Sequence, residues 1–292
     1  SYSVTGVQTC ALPISPGVYG IPPDIADKIM LNINDRKILD MTSDAWQKMT
    51  IEEQQKYASL YQQGYALQNG YAIEKIVPVY DKKLASLPNE NAVNIHLIFI
   101  PPGAFYQGLD ESTKEKLNNY ESETKSWKDR LTPEHKVIIT KPFYISKYEI
   151  TQKQWKAIEN ENPAYFRGDD LPIAWITYIK AQNFCEKSGF QLPTEAQWEY
   201  ACRAGSTFMF FWGKEWNNKS VNTASNWLDH DVYSLEEHSK SIIKNYEDKR
   251  KWWAIYVGKI KPVGSFSANA FGVHDMIDRK STRLNSSHRI RS

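Results

Sequence analysis

The chain has 292 residues, of which 41% are hydrophobic and 13% aromatic, so it can bury a substantial core in one large domain or two small ones. No hydrophobic run approaches the roughly 20 residues that a membrane helix needs, and the sequence predicts no membrane span. The formal net charge of +2 falls to −3 without residues 279–292, which hold five bases and no acid, so no basic stripe predicts a nucleic-acid partner.

The two ends of the chain, residues 1–15 and 278–292, show no hydrophobic periodicity of either kind. Both resemble translated sequencing-adapter sequence, and we expect them to be non-native. The alternative for the second segment is a genuine basic tail.

Residues 16–90 are predicted to form a mostly helical segment of unknown role, with 24–39 as one helix. Thr50 and Glu53 have the spacing of a capping box. The stretch after them carries an aromatic stripe at helical spacing, which is typical of a packing face: Tyr57, Leu60, Tyr61, Gly64, Tyr65, Gln68 and Tyr71. Pro78 and Pro88 predict a linker into the next domain.

Residues 91–277 alternate short predicted strands with separately capped helices. The predicted strands are 95–100, 104–108, 136–140, 143–149 and 172–176. Thr151 and Thr177 are predicted to cap helices, and Gly189 to end the second of them. Without a Gly-x-Gly-x-x-Gly or a Gly-x-x-x-x-Gly-Lys motif, this pattern favours a mixed α+β domain over a doubly wound parallel sheet.

The most informative stretch is 190–205, FQLPTEAQWEYACRAG. It predicts a short buried strand ended by a proline, then a helix with Thr194 and Gln197 as a capping box. Trp198, Ala201, Cys202 and Gly205 recur at helical spacing and predict one buried stripe.

Four segments in order carry a resemblance to a known family. They are LIFIPPGAFYQG (97–108), PFYISKYEITQKQW (142–155), LPTEAQWEYACRAG (192–205) and PVGSFSANAFGVHDM (262–276). They resemble the formylglycine-generating enzyme, or sulfatase-modifying factor, family. The resemblance implies a variant of the C-type-lectin-like fold. It also implies a Gly-Asn-x-Trp-Glu-Trp continuation after Ile277, where Asp278 and Arg279 stand instead, so we expect the domain at 91–277 to be incomplete.

The resemblance implies a copper centre, because enzymes of this family bind Cu(I) through two cysteines near the C-terminus and act with O₂. The cysteines of this chain are Cys10, Cys185 and Cys202. Neither Cys185 nor Cys202 matches that pair, and both are predicted to be small buried hydrophobic residues. Their oxidation state does not follow from the sequence.

The family also implies a Ca²⁺ site built from hard oxygen ligands. Asn226 matches the first ligand by its place in Thr-Ala-Ser-Asn-Trp, and Trp227 could add a carbonyl oxygen. The matching aspartate stays open between Asp229, Asp231 and Asp248. An Asn226 side chain that satisfies its own turn is an equally good interpretation.

The histidines are scattered, without a His-x-x-x-His-x-Glu motif, and we expect them to be hydrogen-bonded structural residues. Two functions remain. The chain is a fragment of a formylglycine-generating-type oxidase that would act on a sulfatase-type peptide, inactive here because its copper cysteines are absent. Alternatively, it is a non-catalytic lectin-like recognition or surface module of the same family.

Overall fold

The computed structural model describes residues 18–79, 92–111, 115, 133–159, 161–164, 166–174, 176–208, 210–213 and 261–276. The architecture is α+β, with a four-stranded sheet and a three-stranded sheet among these residues. The predicted fold class is confirmed. No helix in the described part of the chain is long and apolar enough to cross a membrane.

The chain begins with a short helix and a hairpin. Helix α1 (Pro23–Ile29) leads into strands β1 (Met30–Ile33) and β2 (Arg36–Asp40), which pair antiparallel. Asn34 and Asp35 form the turn with φ of 47° and 60°, the left-handed conformation that a tight hairpin turn requires. The prediction of one helix over 24–39 is therefore wrong, because this turn reverses the chain.

Two capped helices follow. They are α2 (Asp44–Gln47) and α3 (Ile51–Asn69), and α3 starts with the predicted capping box of Thr50 and Glu53. Tyr61 and Tyr65 are buried on the inner face of α3, where their rings contact that of Tyr19 at 5.1 and 5.3 Å between centroids. The aromatic stripe is thus a packing face from Tyr57 to Tyr65, as predicted, whereas Gln68 and Tyr71 at its end are exposed.

The four-stranded sheet has the order β1-β2-β5-β6, with β5 at Gly103–Gln107 and β6 at His135–Ile139. Strand β2 pairs parallel to β5, whereas β5 and β6 pair antiparallel. Gly103 is required at the start of β5, because a Cβ atom there would collide with the hydroxyl of Tyr200.

The three-stranded sheet has the order β3-β4-β7, with β3 at Glu74–Val79, β4 at Val93–Ile100 and β7 at Phe143–Ser146. Pro78 lies within β3 opposite Asn94, at the edge of the sheet, where a missing N–H is tolerated. Strands β1, β2 and β3 thus accompany helices α1 to α3 in the segment predicted to be mostly helical.

Three short helices complete the fold: α4 (Gln152–Lys156), α5 (Tyr178–Ser188) and α6 (Glu195–Arg203). Thr151 and Thr177 cap α4 and α5 as predicted, and Gly189 ends α5 in the left-handed conformation. The strand predicted at 172–176 is not found among its described residues, 172–174 and 176, where only Pro172 forms an isolated bridge, with Thr151.

One main core joins the early and late parts of the chain. Its buried members come from α1, α3, β4, α6 and the loop at 261–276, and they include Ile29, Tyr61, Phe99, Tyr200 and Phe271. A smaller cluster forms around Trp155 and Phe184, whose rings stack at 5.0 Å. The linker predicted near Pro78 therefore does not divide the core.

Candidate functional site

Helix α6 is the element around which the candidate site is built. The Thr194 hydroxyl accepts from the Gln197 N–H at 3.2 Å, and the Gln197 side chain accepts from the Thr194 N–H at 3.0 Å, which completes the predicted capping box. Ala201, Cys202 and Gly205 are buried as expected, and Trp198 is half-buried. The buried strand predicted before α6 is absent from the described residues at 190–193.

A loop at 261–276 is fastened to the end of α6 by one side chain. Asn269 donates from Nδ2 to the carbonyl oxygens of Ala201 (2.7 Å) and Cys202 (3.1 Å), and its Oδ1 accepts from the N–H groups of Phe271 and Val273. Asn269 is buried, so each of these bonds lies away from water. The turn predicted at 269–272 is confirmed by the bond from Gly272 N–H to Asn269 O.

Two more buried polar side chains hold the same loop. Gln62 of α3 donates to Phe99 O at 2.7 Å and to Phe271 O at 2.9 Å. The carboxylate of Asp275 accepts from the N–H groups of Gly264 and Phe266. The loop is thus bonded to itself and to Gln62 of α3, which also bonds to β4, and these bonds preorganise the backbone that the loop presents beside α6.

A small cavity lies beside the C-terminal end of α6. It has a volume of about 300 Å³, with Met41, Phe105 and Ser206 buried among its lining residues. Arg203 also lines the cavity. Its Nε donates to the carboxylate of Glu199 at 2.9 Å, and its Nη2 donates to Gly108 O. The sequence analysis did not single out Arg203 or Glu199, although their spacing of four residues on a helix is the signal of such a pair.

The two described cysteines do not fit a Cu(I) site, which needs thiolates close together. Burial raises the pKa of Cys202 to about 12 and that of Cys185 to about 11, so both thiols stay protonated. Cys202 is buried in the main core as predicted, while Cys185 is half-buried against the smaller cluster.

The predicted calcium ligands Asn226 and Trp227 lie outside the described residues, as do Asp229, Asp231 and Asp248. Within the described ranges, no three His, Cys, Asp or Glu side chains come together in a way that could hold a metal ion. The calcium site therefore stays a prediction.

A polar cluster joins β3 to β4 and to the residue after β7. Glu74 contacts Nδ1 of His96 at 2.6 Å and Nζ of Lys147 at 2.8 Å. Hydrogen bonds from Lys147 and His96 lower the pKa of the Glu74 carboxyl. His274 places its Nδ1 2.8 Å from Phe266 O, which agrees with the expected structural role of the histidines.

Sequence reasoning missed Gln62. Its position among Ala58, Tyr61 and Tyr65, on the inner face of α3, was a usable signal, because a polar residue in an apolar stripe needs a buried partner.

Comparison with models of protein families identifies the family of this chain. The model of the sulfatase-modifying factor enzyme 1-like domain matches residues 84–278. The chain belongs to this family. The resemblance recognised from the four motifs is confirmed.

Individual relatives of this sulfatase-modifying factor family member are distant. It is 27% identical to the chaperone protein LppX of Paenibacillus barcinonensis over 175 residues, which is 46% of this chain and 58% of that protein. It is 25% identical to YfmG of Bacillus subtilis over 237 residues, 73% of this chain and 46% of that protein. The chain thus spans about half the length of these two relatives.

A shorter match has a higher sequence identity. The formylglycine-generating enzyme of Mycobacterium tuberculosis is 34% identical over 106 residues, 36% of this chain and 30% of that enzyme. Among solved structures, PvdO from Pseudomonas aeruginosa aligns with a TM-score of 0.41 at 23% identity, covering 68% of this chain and 70% of that one.

Proposed function

We propose that the described residues between 18 and 276 belong to the peptide-recognising scaffold of a formylglycine-generating-type oxidase. The observation that carries the proposal is the bonding of Asn269 to the carbonyl oxygens of Ala201 and Cys202. It joins two of the four family motifs, the one on α6 and the one at 262–276, into a single rigid site. Family membership and the 34% identity to a formylglycine-generating enzyme support it.

The reaction of such an oxidase converts a cysteine of a sulfatase-type peptide to formylglycine with copper and O₂. No step of that reaction is assigned to Cys185 or Cys202, since both thiols are protonated and lie in different clusters. The role proposed for the described residues is to hold an extended peptide.

The test is a binding measurement with a fluorescent Cys-x-Pro-x-Arg peptide, against a scrambled peptide of the same composition. We expect the Cys-x-Pro-x-Arg peptide to bind more tightly than the scrambled one. In the presence of Cu(I) and O₂ its cysteine should stay unconverted, as measured by mass spectrometry. Equal binding of both peptides would contradict the scaffold proposal. An aldehyde product would contradict the assignment of the thiols as inert.

A second candidate is a recognition module that takes no cysteine peptide. The observation that favours it is that Cys202 is buried in the main core, while Cys185 is half-buried against the smaller cluster, so the two thiols serve separate packing roles. The same binding measurement separates the recognition module from the oxidase scaffold, because the module predicts that neither the Cys-x-Pro-x-Arg peptide nor its scrambled form binds.

A further inference from the structure

Helix α3 lies outside residues 84–278, which match the family, yet its buried face bonds to two of the four family motifs. Gln62 donates to Phe99 O at 2.7 Å in the first motif and to Phe271 O at 2.9 Å in the last. Both acceptors are backbone carbonyl groups. One side chain of α3 therefore ties the end of β4 to the loop at 261–276.

The segment that follows α6 is bonded to the same helix. The Nε2 of Gln54 donates to Thr207 Oγ1 at 2.9 Å, and its Oε1 accepts from the Thr207 N–H at 3.1 Å. The next residue of α3, Gln55, donates to Phe211 O at 2.8 Å. Together with Gln62, these side chains bond one helix to two separate loops of the family domain.

The end of α6 also packs directly against α3. Gly205 has a φ of 97°, and a Cβ atom there would lie 2.6 Å from the Cβ atom of Ala58 on α3. The indole Nε1 of Trp46 donates to Gly205 O at 2.9 Å in the same buried contact. The backbone after α6 is therefore held by close packing as well as by hydrogen bonds.

Loop backbones depend on such bonds, because no helix or strand ladder of their own satisfies their polar groups. Gln54 and Gln62 are buried, so a bond that breaks there leaves an amide unpaired away from water. Helix α3 is a continuous element of 19 residues, and a site held on such an element is more precise than one held by loops alone. The placement of the two loops relative to each other is thus set by their common attachment to α3.

We propose that α3 is the positioning element of the candidate site. Gln54, Gln55 and Gln62 act through the backbone of the two loops and hold them in the arrangement that binds a peptide. The inference rests on the proposed function for the ligand of these loops, whereas their arrangement belongs to the unliganded chain and is measured separately. It gives a role to part of the N-terminal segment, whose role the sequence left unknown.

The test is hydrogen exchange of the full chain, followed by mass spectrometry, in Gln54→Met and Gln62→Met. Methionine keeps the length of the side chain and removes its donor and acceptor groups. Under conditions where each variant is folded, exchange should rise about tenfold at 205–213 in Gln54→Met and about tenfold at 261–276 in Gln62→Met, relative to β5. Loop exchange that rises no more than exchange in β5 would overturn the proposal.

Tyr61→Phe is the matched control, since it removes a buried bond from the same helix to Pro102 O, which belongs to neither loop. It should leave exchange in both loops unchanged relative to β5. Gln55→Ala removes only the bond of a half-buried side chain to Phe211 O, so it serves if the methionine variants fail to fold. It should raise exchange at 210–213 about fivefold, and no rise there would also refute the proposal.

Peptide binding tests the functional half of the inference. At a temperature where all variants are folded, Gln54→Met and Gln62→Met should bind the fluorescent Cys-x-Pro-x-Arg peptide about tenfold more weakly, and Tyr61→Phe should bind it like the unaltered chain. Unchanged affinity in both glutamine variants, or an equal loss in Tyr61→Phe, would overturn the positioning role. An unaltered chain that binds no peptide contradicts the proposed function instead, and hydrogen exchange still decides whether α3 positions the loops.

Discussion

The side-chain amide of Asn269 donates to the carbonyl oxygen of Ala201 at 2.7 Å, although 68 residues separate the two in sequence. The last carbonyl groups of a helix have no donor within the helix. When a helix end is buried, these carbonyl oxygens need a hydrogen-bond donor from another part of the chain. Asn269 supplies it and also accepts from two N–H groups of its own loop. The loop and the helix are therefore one structural unit.

Asn269→Ala should lower the free energy of unfolding by about 2–4 kcal/mol, because four buried backbone groups lose their partner at once. Urea unfolding followed by tryptophan fluorescence measures it. Asn69→Ala, which removes one bond to Tyr65 O at the exposed end of α3, is the control and should cost under about 1 kcal/mol. Similar costs for both would show that the loop is not held by Asn269.

Tyr200→Phe should leave stability unchanged or raise it slightly. The hydroxyl of Tyr200 is fully buried and has no hydrogen-bond partner among the described residues. Folding therefore removes this hydroxyl from water without replacing its hydrogen bonds, and the substitution abolishes that unfavourable contribution to stability. Tyr61→Phe is the matched comparison, since the Tyr61 hydroxyl donates to Pro102 O at 2.8 Å and its loss should cost about 1 kcal/mol. Thermal melts of the two variants should shift in different directions, and a lower melting temperature for Tyr200→Phe would be the contrary result.

Gly64→Ala should destabilise the protein by more than about 1 kcal/mol, although alanine is normally the better helix former. A Cβ atom at Gly64 would lie 2.5 Å from the backbone oxygen of Tyr19, and a backbone segment cannot move aside as a side chain can. Gln63→Ala, on the exposed face of the same helix, should be neutral or slightly stabilising. If Gly64→Ala matched it in urea unfolding, the close packing of residue 19 on α3 would be wrong.

Glu74 predicts a pH dependence in the acid range. Because Lys147 and His96 lower its folded-state pKa below the usual 4.5, the cluster stabilises the protein above that pH and loses the contribution as pH falls through the lowered pKa. The effect is small, since the Glu74 side chain is 36% exposed and solvent screens it. The stability gap between the native chain and Glu74→Gln should narrow as the pH drops from 6 to about 3. A gap that is constant across this range would contradict the assignment.

The raised pKa values of Cys185 and Cys202 predict slow alkylation of both thiols in the folded protein. With pKa values of about 11 for Cys185 and about 12 for Cys202, little thiolate exists at pH 8. In a Cys10→Ser background, iodoacetamide should modify both residues far more slowly in the folded protein than in urea, and Cys202 more slowly than Cys185. Rapid labelling of folded Cys202 would show that α6 opens readily.

Local sequence signals predicted the helix starts well, because a capping box is complete within four residues. Thr50 and Thr194 form the predicted boxes, and Thr151, predicted as a cap, forms one as well. The hairpin at Asn34 and Asp35 was missed because its strands are too short to outweigh the helical pattern of the residues before them. The bonds of Gln62 and Asn269 could not be predicted, since their partners are distant in sequence and only the fold brings them together.

The bond from Gln62 to Phe271 O spans 209 residues. Contacts of such separation raise the contact order, and chains rich in them fold slowly because a large loop must close first. During synthesis, Gln62 is made 209 residues before its acceptor Phe271, so at about 5–20 residues per second the loop that completes this part of the core follows only after many seconds.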